Sequence, residues 1–298
     1  MRSNSPSDTS LLVARCILLA SKDPHLCRLL ATGESEILMK ILGNAAPAGW
    51  MDFVLENRWA RGALLQLERA MVAGIIAHYL ARKRWIERRV REAVTRGVRQ
   101  VVLLGAGMDT LAARLHTEFP PVLFLELDHP ATQTVKRSAL DPAPNLLFQP
   151  VDLATESLAA AVADCPRFSK NLPAIIIAEG LTMYFTAERV AAMLTVSADL
   201  AGPGGQVIFT FMEQAKDGSI CFRGENPLVS WWLKSRREPF LWGISRPALP
   251  AWLEANGLRC ADVAGERELR GELLVPRDLG HIALARGECL CSCVPLVR

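Results

Sequence analysis

The chain has almost no excess charge of either sign. Its 34 Lys and Arg against 31 Asp and Glu leave a formal +3 over 298 residues. That bias is too small to imply a nucleic-acid partner or a membrane surface. Long hydrophobic runs are also missing. The most apolar early stretch, residues 11–20, is cut by Arg15 and is far shorter than the ~20 residues a membrane span needs. It lacks a basic start and a small-residue cleavage site, so no signal peptide is expected. The 8 cysteines include no CxxC pair, which excludes a disulfide scaffold and leaves reduced thiols in a cytoplasmic protein as the plain reading. No fixed-period repeat is visible, and no linker-like shift in composition divides the chain. What is there is globular: 50% hydrophobic and 22% charged residues, enough to bury a large core.

The first 97 residues read as helical, with Leu11, Leu12, Leu18 and Leu19 at helix spacing behind the capping types Asp8, Thr9 and Ser10. Residues 82–91 are a charge-dense run, and a solvent-facing amphipathic helix is expected for most of those charges. From Val98 the pattern changes. Short apolar runs at 101–104, 122–127, 145–151, 174–178 and 206–211 read as buried strands. Helical segments separate them, which predicts βαβ units and a parallel sheet. Residues 213–245 read as a mostly helical insertion covering one end of the sheet. Two last strands are expected near 258–263 and within 282–294. The organisation expected is a single domain over 1–298: a helical N-terminal extension or lid (1–97) and an α/β core (98–298).

In open parallel sheets, ligands bind beyond the carboxyl ends of the strands, at the topological switch point. The residues there are Gly105-Ala106-Gly107, Asp128, Asp152-Leu153 and Glu179. A glycine loop lets a ligand approach the backbone closely. The dinucleotide fingerprint would need a third glycine where this chain has Thr110, and Asp109 at a helix start suits a pyrophosphate poorly. A nicotinamide oxidoreductase is therefore disfavoured, and a nucleoside without phosphates fits better. Asp128 can accept hydrogen bonds from both hydroxyls of a ribose. Its alternative role is a helix cap before Pro130, and Glu126, two residues earlier, is its rival on the same side of the strand.

These motifs resemble those of a known family. Leu104-Gly105-Ala106-Gly107-Met108-Asp109-Thr110 with Arg114-Leu115, Glu126-Leu127-Asp128-His129-Pro130, Val151-Asp152-Leu153 and Ala178-Glu179-Gly180-Leu181-Thr182-Met183-Tyr184 are similar to successive motifs of the leucine carboxyl methyltransferase family. That family includes bacterial polyketide O-methyltransferases. The resemblance runs from about Asp8 to the end of the chain. It implies a class I methyltransferase fold, a Rossmann-like, mostly parallel sheet of seven strands with helices on both faces, and S-adenosyl-L-methionine as methyl donor. It assigns Arg82 to the donor's carboxylate, Gly105 and Gly107 to the loop whose backbone lies against the donor, and Asp128 to the ribose. Asp152 and Leu153 fall to the adenine and Glu179 to the amino-acid end. A guanidinium matches a carboxylate in a two-pronged geometry that Lys cannot copy. Two departures, Leu111 and Ile17 where many relatives carry Arg, lie on the expected acceptor side.

The acceptor side is less legible. Tyr184, Trp231 and Arg15 are its candidates, with no catalytic base identified. Cys289, Cys291 and Cys293 alternate on one face of a strand, and core packing is expected there rather than a metal. The histidines show no ligand spacing, and His281 is expected to lie at the surface or in the core. The leading expectation is O-methylation of a carboxylate, or a hydroxyl, on a small-molecule, polyketide-like acceptor of secondary metabolism. The alternatives are methylation of a protein's C-terminal carboxylate and a non-catalytic partner protein that binds the donor.

Overall fold

The computed structural model describes residues 7–45 and 49–296; the helical reading of residues 1–6 and 46–48 falls outside them. Helices come first: α1 (Asp8–Ala20), α2 (Glu34–Ala45), α3 (Gly49–Glu56), α4 (Arg58–Val72) and α5 (Ile75–Thr95). Ser7 and Asn57 cap α1 and α4, their side-chain oxygens accepting from N–H groups of the first turn. The α/β alternation follows as β1 (Gln100–Leu104), α6 (Leu111–Glu118), β2 (Leu123–Asp128), α7 (Pro130–Ala139), β3 (Leu146–Pro150), α8 (Leu158–Ala163), β4 (Ala174–Ala178), α9 (Ala187–Ala201) and β5 (Gln206–Met212). Then come α10 (Pro227–Ser235), α11 (Leu249–Ala255), β6 (Leu258–Ala264), α12 (Glu266–Leu269) and β7 (Glu288–Pro295). The apolar runs read from the sequence coincide with these strands.

The seven strands form one sheet in the order β3-β2-β1-β4-β5-β7-β6. β1 to β5 pair in parallel, and β7 runs antiparallel between β5 and β6. Alternate strand residues feed two cores, as the two-residue period of a strand requires. Val101 and Leu103 of β1 face the N-terminal helices, while Val102 and Leu104 face α8, α9 and α11. Because β1 pairs with both β2 and β4, the strand order reverses beside it. The carboxyl ends of β1 and β4 therefore flank a crevice.

Two expectations change. Residues 213–245 hold one helix, α10, and are otherwise turns and extended chain. Glycines at 218 and 224 and prolines at 227 and 239 punctuate the segment too often for a second helix. The charge run on α5 is also not solvent-facing as a whole. Arg82, Lys83 and Glu87 are buried beside Trp85, Ile86 and Val90. Each buried charge has a partner from elsewhere in the chain: Arg82 meets Glu179 and Glu288, Lys83 meets Asp109, and Glu87 meets Arg114. Pairing is the condition under which charges enter a core. On its inner face α1 belongs to the core through Ile17, Leu18 and Ala20.

Candidate functional site

The crevice opens into a cavity of about 800 Å³, within the roughly 300–1,000 Å³ typical of ligand sites. Arg82, Gly105, Gly107, Asp128, Asp152, Leu153 and Glu179, the residues singled out at the strand ends and on α5, all line it. So do Arg15, Tyr184 and Trp231.

At the floor, the loop after β1 turns on two glycines with positive φ, Gly105 at 62° and Gly107 at 52°. L side chains rarely adopt that backbone. A Cβ on Gly105 would stand 2.7 Å from a methyl of Leu181, which would have to shift toward the cavity's lining. The Gly107 N–H donates to Oδ2 of Asp128, and the His129 N–H donates to Oδ1 at 2.6 Å. These bonds fix the carboxylate at the cavity wall, while burial raises its pKa above the ordinary aspartate value. Glu126 is placed differently. It is fully buried, does not line the cavity, and accepts from the Nζ of Lys136, which also donates 2.7 Å to the Asp109 carbonyl. Burial pushes Glu126 up to about 7 against the pull of Lys136. Beyond β3, Asp152 is half-buried and its Oδ1 accepts from the Ala154 N–H at 2.9 Å. Arg189 holds the Leu153 carbonyl from below, through Nε at 3.1 Å and Nη2 at 2.6 Å.

A charge cluster closes the floor on the α5 side. Nε of Arg82 donates to Glu179 at 2.9 Å, and Lys83 lies 3.1 Å from the same Glu179 oxygen and against Asp109. Burial opposes ionisation of Asp109, but Lys83 and Lys136 hold its carboxyl well below the usual range. Glu288, at the start of β7, takes Nη1 of Arg82 on both oxygens. Burial works against its charge too, and Arg82 and His78 outweigh it, leaving Glu288 at about 2. The sequence reading missed Lys83 and Glu288. A signal for Glu288 was present: it is the only acid in the otherwise apolar and small run 288–294.

The mouth is apolar. Leu12 of α1, Leu67 of α4, and Leu228 and Trp231 of α10 line it yet remain exposed, Trp231 at 66%. Trp231 is therefore part of the rim rather than packing inside the insertion. Tyr184 is half-buried with its ring 5.7 Å from Phe240, and burial raises its phenol above the ordinary value. Arg15 is half-buried in the α1 wall. The first turn of α1 is tied to the 213–245 segment at two points: Thr9 donates to Glu238, and Asp8 pairs with Arg236 at 3.3 Å. His281 lies elsewhere, exposed, with its ring 5.7 Å from His25. Cys289, Cys291 and Cys293 are buried on β7 within the second core. Among the described residues no group of acids, histidines and cysteines has the arrangement of a metal site. No described helix is long and apolar enough to cross a membrane.

At the floor, five carboxylates (Asp109, Asp128, Asp152, Glu179 and Glu288) face two cations, Arg82 and Lys83. The surplus suits a ligand bearing positive charge, and the glycine cradle suits one that lies against backbone. A nucleoside carrying a sulfonium and an amino-acid end meets both conditions.

A family model described as "Leucine carboxyl methyltransferase" matches residues 23–198. A Bacillus subtilis (strain 168) protein named "Putative S-adenosyl-L-methionine-dependent methyltransferase YktD" is 30% identical over 141 residues, 45% of each chain. A Mycolicibacterium gilvum (strain PYR-GCK) protein named "Putative S-adenosyl-L-methionine-dependent methyltransferase" is 30% identical over 206 residues, 67% of this chain and 64% of its own. The matched region thus spans about half of the first relative and under two thirds of the second. Among solved structures, one described as a "putative methyltransferase" from Thermobifida fusca YX superposes with a TM-score of 0.57 at 16% identity, over 88% of this chain and 94% of its own. The fold is that of the class I methyltransferases.

Proposed function

The chain belongs to the leucine carboxyl methyltransferase family, and from that premise we propose that it transfers a methyl group from S-adenosyl-L-methionine to a carboxylate oxygen of an apolar small-molecule acceptor. The observation that carries this reading is the contrast between an acid-rich floor and an apolar mouth in one cavity.

The donor supplies a methyl group on a sulfonium, open to in-line displacement by an oxygen. The protein's part is to bind, align and exclude water. In this reading Arg82 holds the donor's carboxylate, Glu179 its ammonium, and Asp128 its ribose hydroxyls. Asp152 and Leu153 border the adenine, and Gly105 and Gly107 let the donor lie against the loop. The mouth, with Tyr184 and Trp231 in its lining and Arg15 in its wall, takes the acceptor. The ties of Thr9 to Glu238 and of Asp8 to Arg236 hold the start of α1 against the 213–245 segment, beside the mouth. Eight free thiols support a cytoplasmic setting.

A carboxylate acceptor is the reading that the acceptor-side candidates support. A carboxylate is ionised at neutral pH and needs no general base, whereas a phenol with a pKa of about 10 needs one. Tyr184, with its pKa raised by burial, is a poor base, and Glu238 already accepts from Thr9. Incubation with methyl-labelled donor and an extract of the source organism tests the reading. Label entering small molecules as an alkali-labile ester, released as methanol, supports it. Alkali-stable label means a hydroxyl acceptor, and label in the protein fraction means a polypeptide acceptor. Donor binding without any transfer means a non-catalytic role.

A further inference from the structure

Arg82 enters the cavity with two of its three nitrogens committed. Nη1 donates to both oxygens of Glu288, at 2.8 and 2.9 Å, and Nε donates to Oε1 of Glu179 at 2.9 Å. The two acids are not equivalent. Glu288 is 1% exposed, and its Oε2 also meets Nε2 of the fully buried His78 at 2.9 Å. The side chain of Glu179 keeps 13% exposure and shares Oε1 with Lys83 at 3.1 Å. Glu288 is thus a fixed partner of Arg82. Glu179 has a second cation and an open side.

A guanidinium presents two forks to a carboxylate, the end-on pair Nη1 and Nη2 and the side-on pair Nε and Nη2. Glu288 on Nη1 closes the end-on fork. The side-on fork is held only at Nε, by Glu179. Nη2 lies toward the turn after β4, where a Cβ on Gly180 would stand 3.6 Å from it; glycine there leaves that edge open.

We propose that Glu288 is a positioning residue: acting through Arg82, it presents the side-on fork to the carboxylate of the cofactor's amino-acid end, and Glu179 exchanges Arg82 for the ammonium when the cofactor binds. The exchange leaves no buried charge unpaired. Arg82 keeps two carboxylates, Glu288 and the cofactor's, and Glu179 keeps two cations, Lys83 and the ammonium. Balance of this kind is what a water-poor site demands. The inference rests on the reading of Arg82 as the carboxylate anchor.

Calorimetry with two probes tests it: S-adenosylhomocysteine, and 5′-methylthioadenosine, which has the nucleoside and sulfur but no amino-acid end. Glu288→Gln should weaken S-adenosylhomocysteine by about tenfold or more and leave 5′-methylthioadenosine within about twofold. Glu288→Asp keeps the charge but draws the carboxylate back by one methylene, and should show the same selective loss to a smaller degree. Should Glu288→Gln fail to fold, the Asp variant alone decides. Equal losses for both probes, or no loss for either, would overturn the positioning role. Arg82→Ala separates the two levels. Undiminished S-adenosylhomocysteine binding there sinks the reading of Arg82 itself, whereas a loss there with none in the Glu288 variants sinks only this inference.

Discussion

At the floor of the cavity, the carboxylates and cations are tied to backbone N–H groups or to one another; at its mouth, Leu12, Leu67, Leu228 and Trp231 stand exposed to water. The floor is paired throughout: a buried charge released from its partner is costly, so each group there is held by at least one other. The mouth is under no such constraint. Apolar contact is non-directional, so the same walls can accept bodies of different shape. Recognition of the donor and tolerance toward the acceptor are thus assigned to different parts of one cavity.

The comparison predicts a gradient of effects. The largest belongs to Arg82→Ala, which removes the cation that Glu179 and Glu288 share and leaves them only Lys83 and His78. Denaturant unfolding should show a loss of about 3–5 kcal/mol, the range for breaking a buried ion pair. A loss below about 1 kcal/mol would mean that water already screens the floor. Next comes pH. Glu288 is depressed from 4.5 to about 2, so its contribution is present above pH 4.5 and lost as pH falls toward 2. Relative to the parent, Glu288→Gln should flatten the stability-against-pH curve across that window, by on the order of 3 kcal/mol. Identical slopes in the two proteins would show that the carboxylate is not held down. Asp128→Ala should follow, weakening donor binding by roughly 1.5–3 kcal/mol. Unchanged affinity by calorimetry in a folded variant would remove Asp128 from the ribose. The smallest effect is expected at the mouth. Trp231→Ala should change stability and donor affinity by less than about 0.5 kcal/mol while lowering transfer to a bulky acceptor. A large loss of donor binding there would erase the division between floor and mouth.

What could be read from the sequence depended on whether an element's neighbours are close in the chain. The five parallel strands are short apolar runs that end in glycine or an acid, and their loops are local, so the sheet and the strand-end residues were legible. Asp128 is preferred to Glu126 on its place at the strand end, and the resemblance agrees. The difference that separates them physically, Lys136 reaching back to neutralise Glu126, requires α7 to be folded onto β2. The charge run on α5 was misread for the same reason: no spacing rule reveals that Arg82 finds Glu288 206 residues later, or that Arg84 finds Glu34. The helical content of 213–245 was overestimated because the apolar residues around Trp231 continue past the glycines and prolines that stop a helix.

The position of β7 sets an order of events during synthesis. The strand slots between β5 and β6 in the sheet although it follows both in the chain. Until it arrives, β5 presents an unpaired edge, the kind that invites wrong pairing. Arg82 then also lacks the acid that neutralises it from within the core. A ribosome that has emitted everything through β6 has therefore made every residue assigned to the donor, yet holds a nascent chain with an open sheet and an Arg82 that lacks its buried acid, Glu288. Closure of the sheet and electrostatic completion of the floor come together, with one late strand.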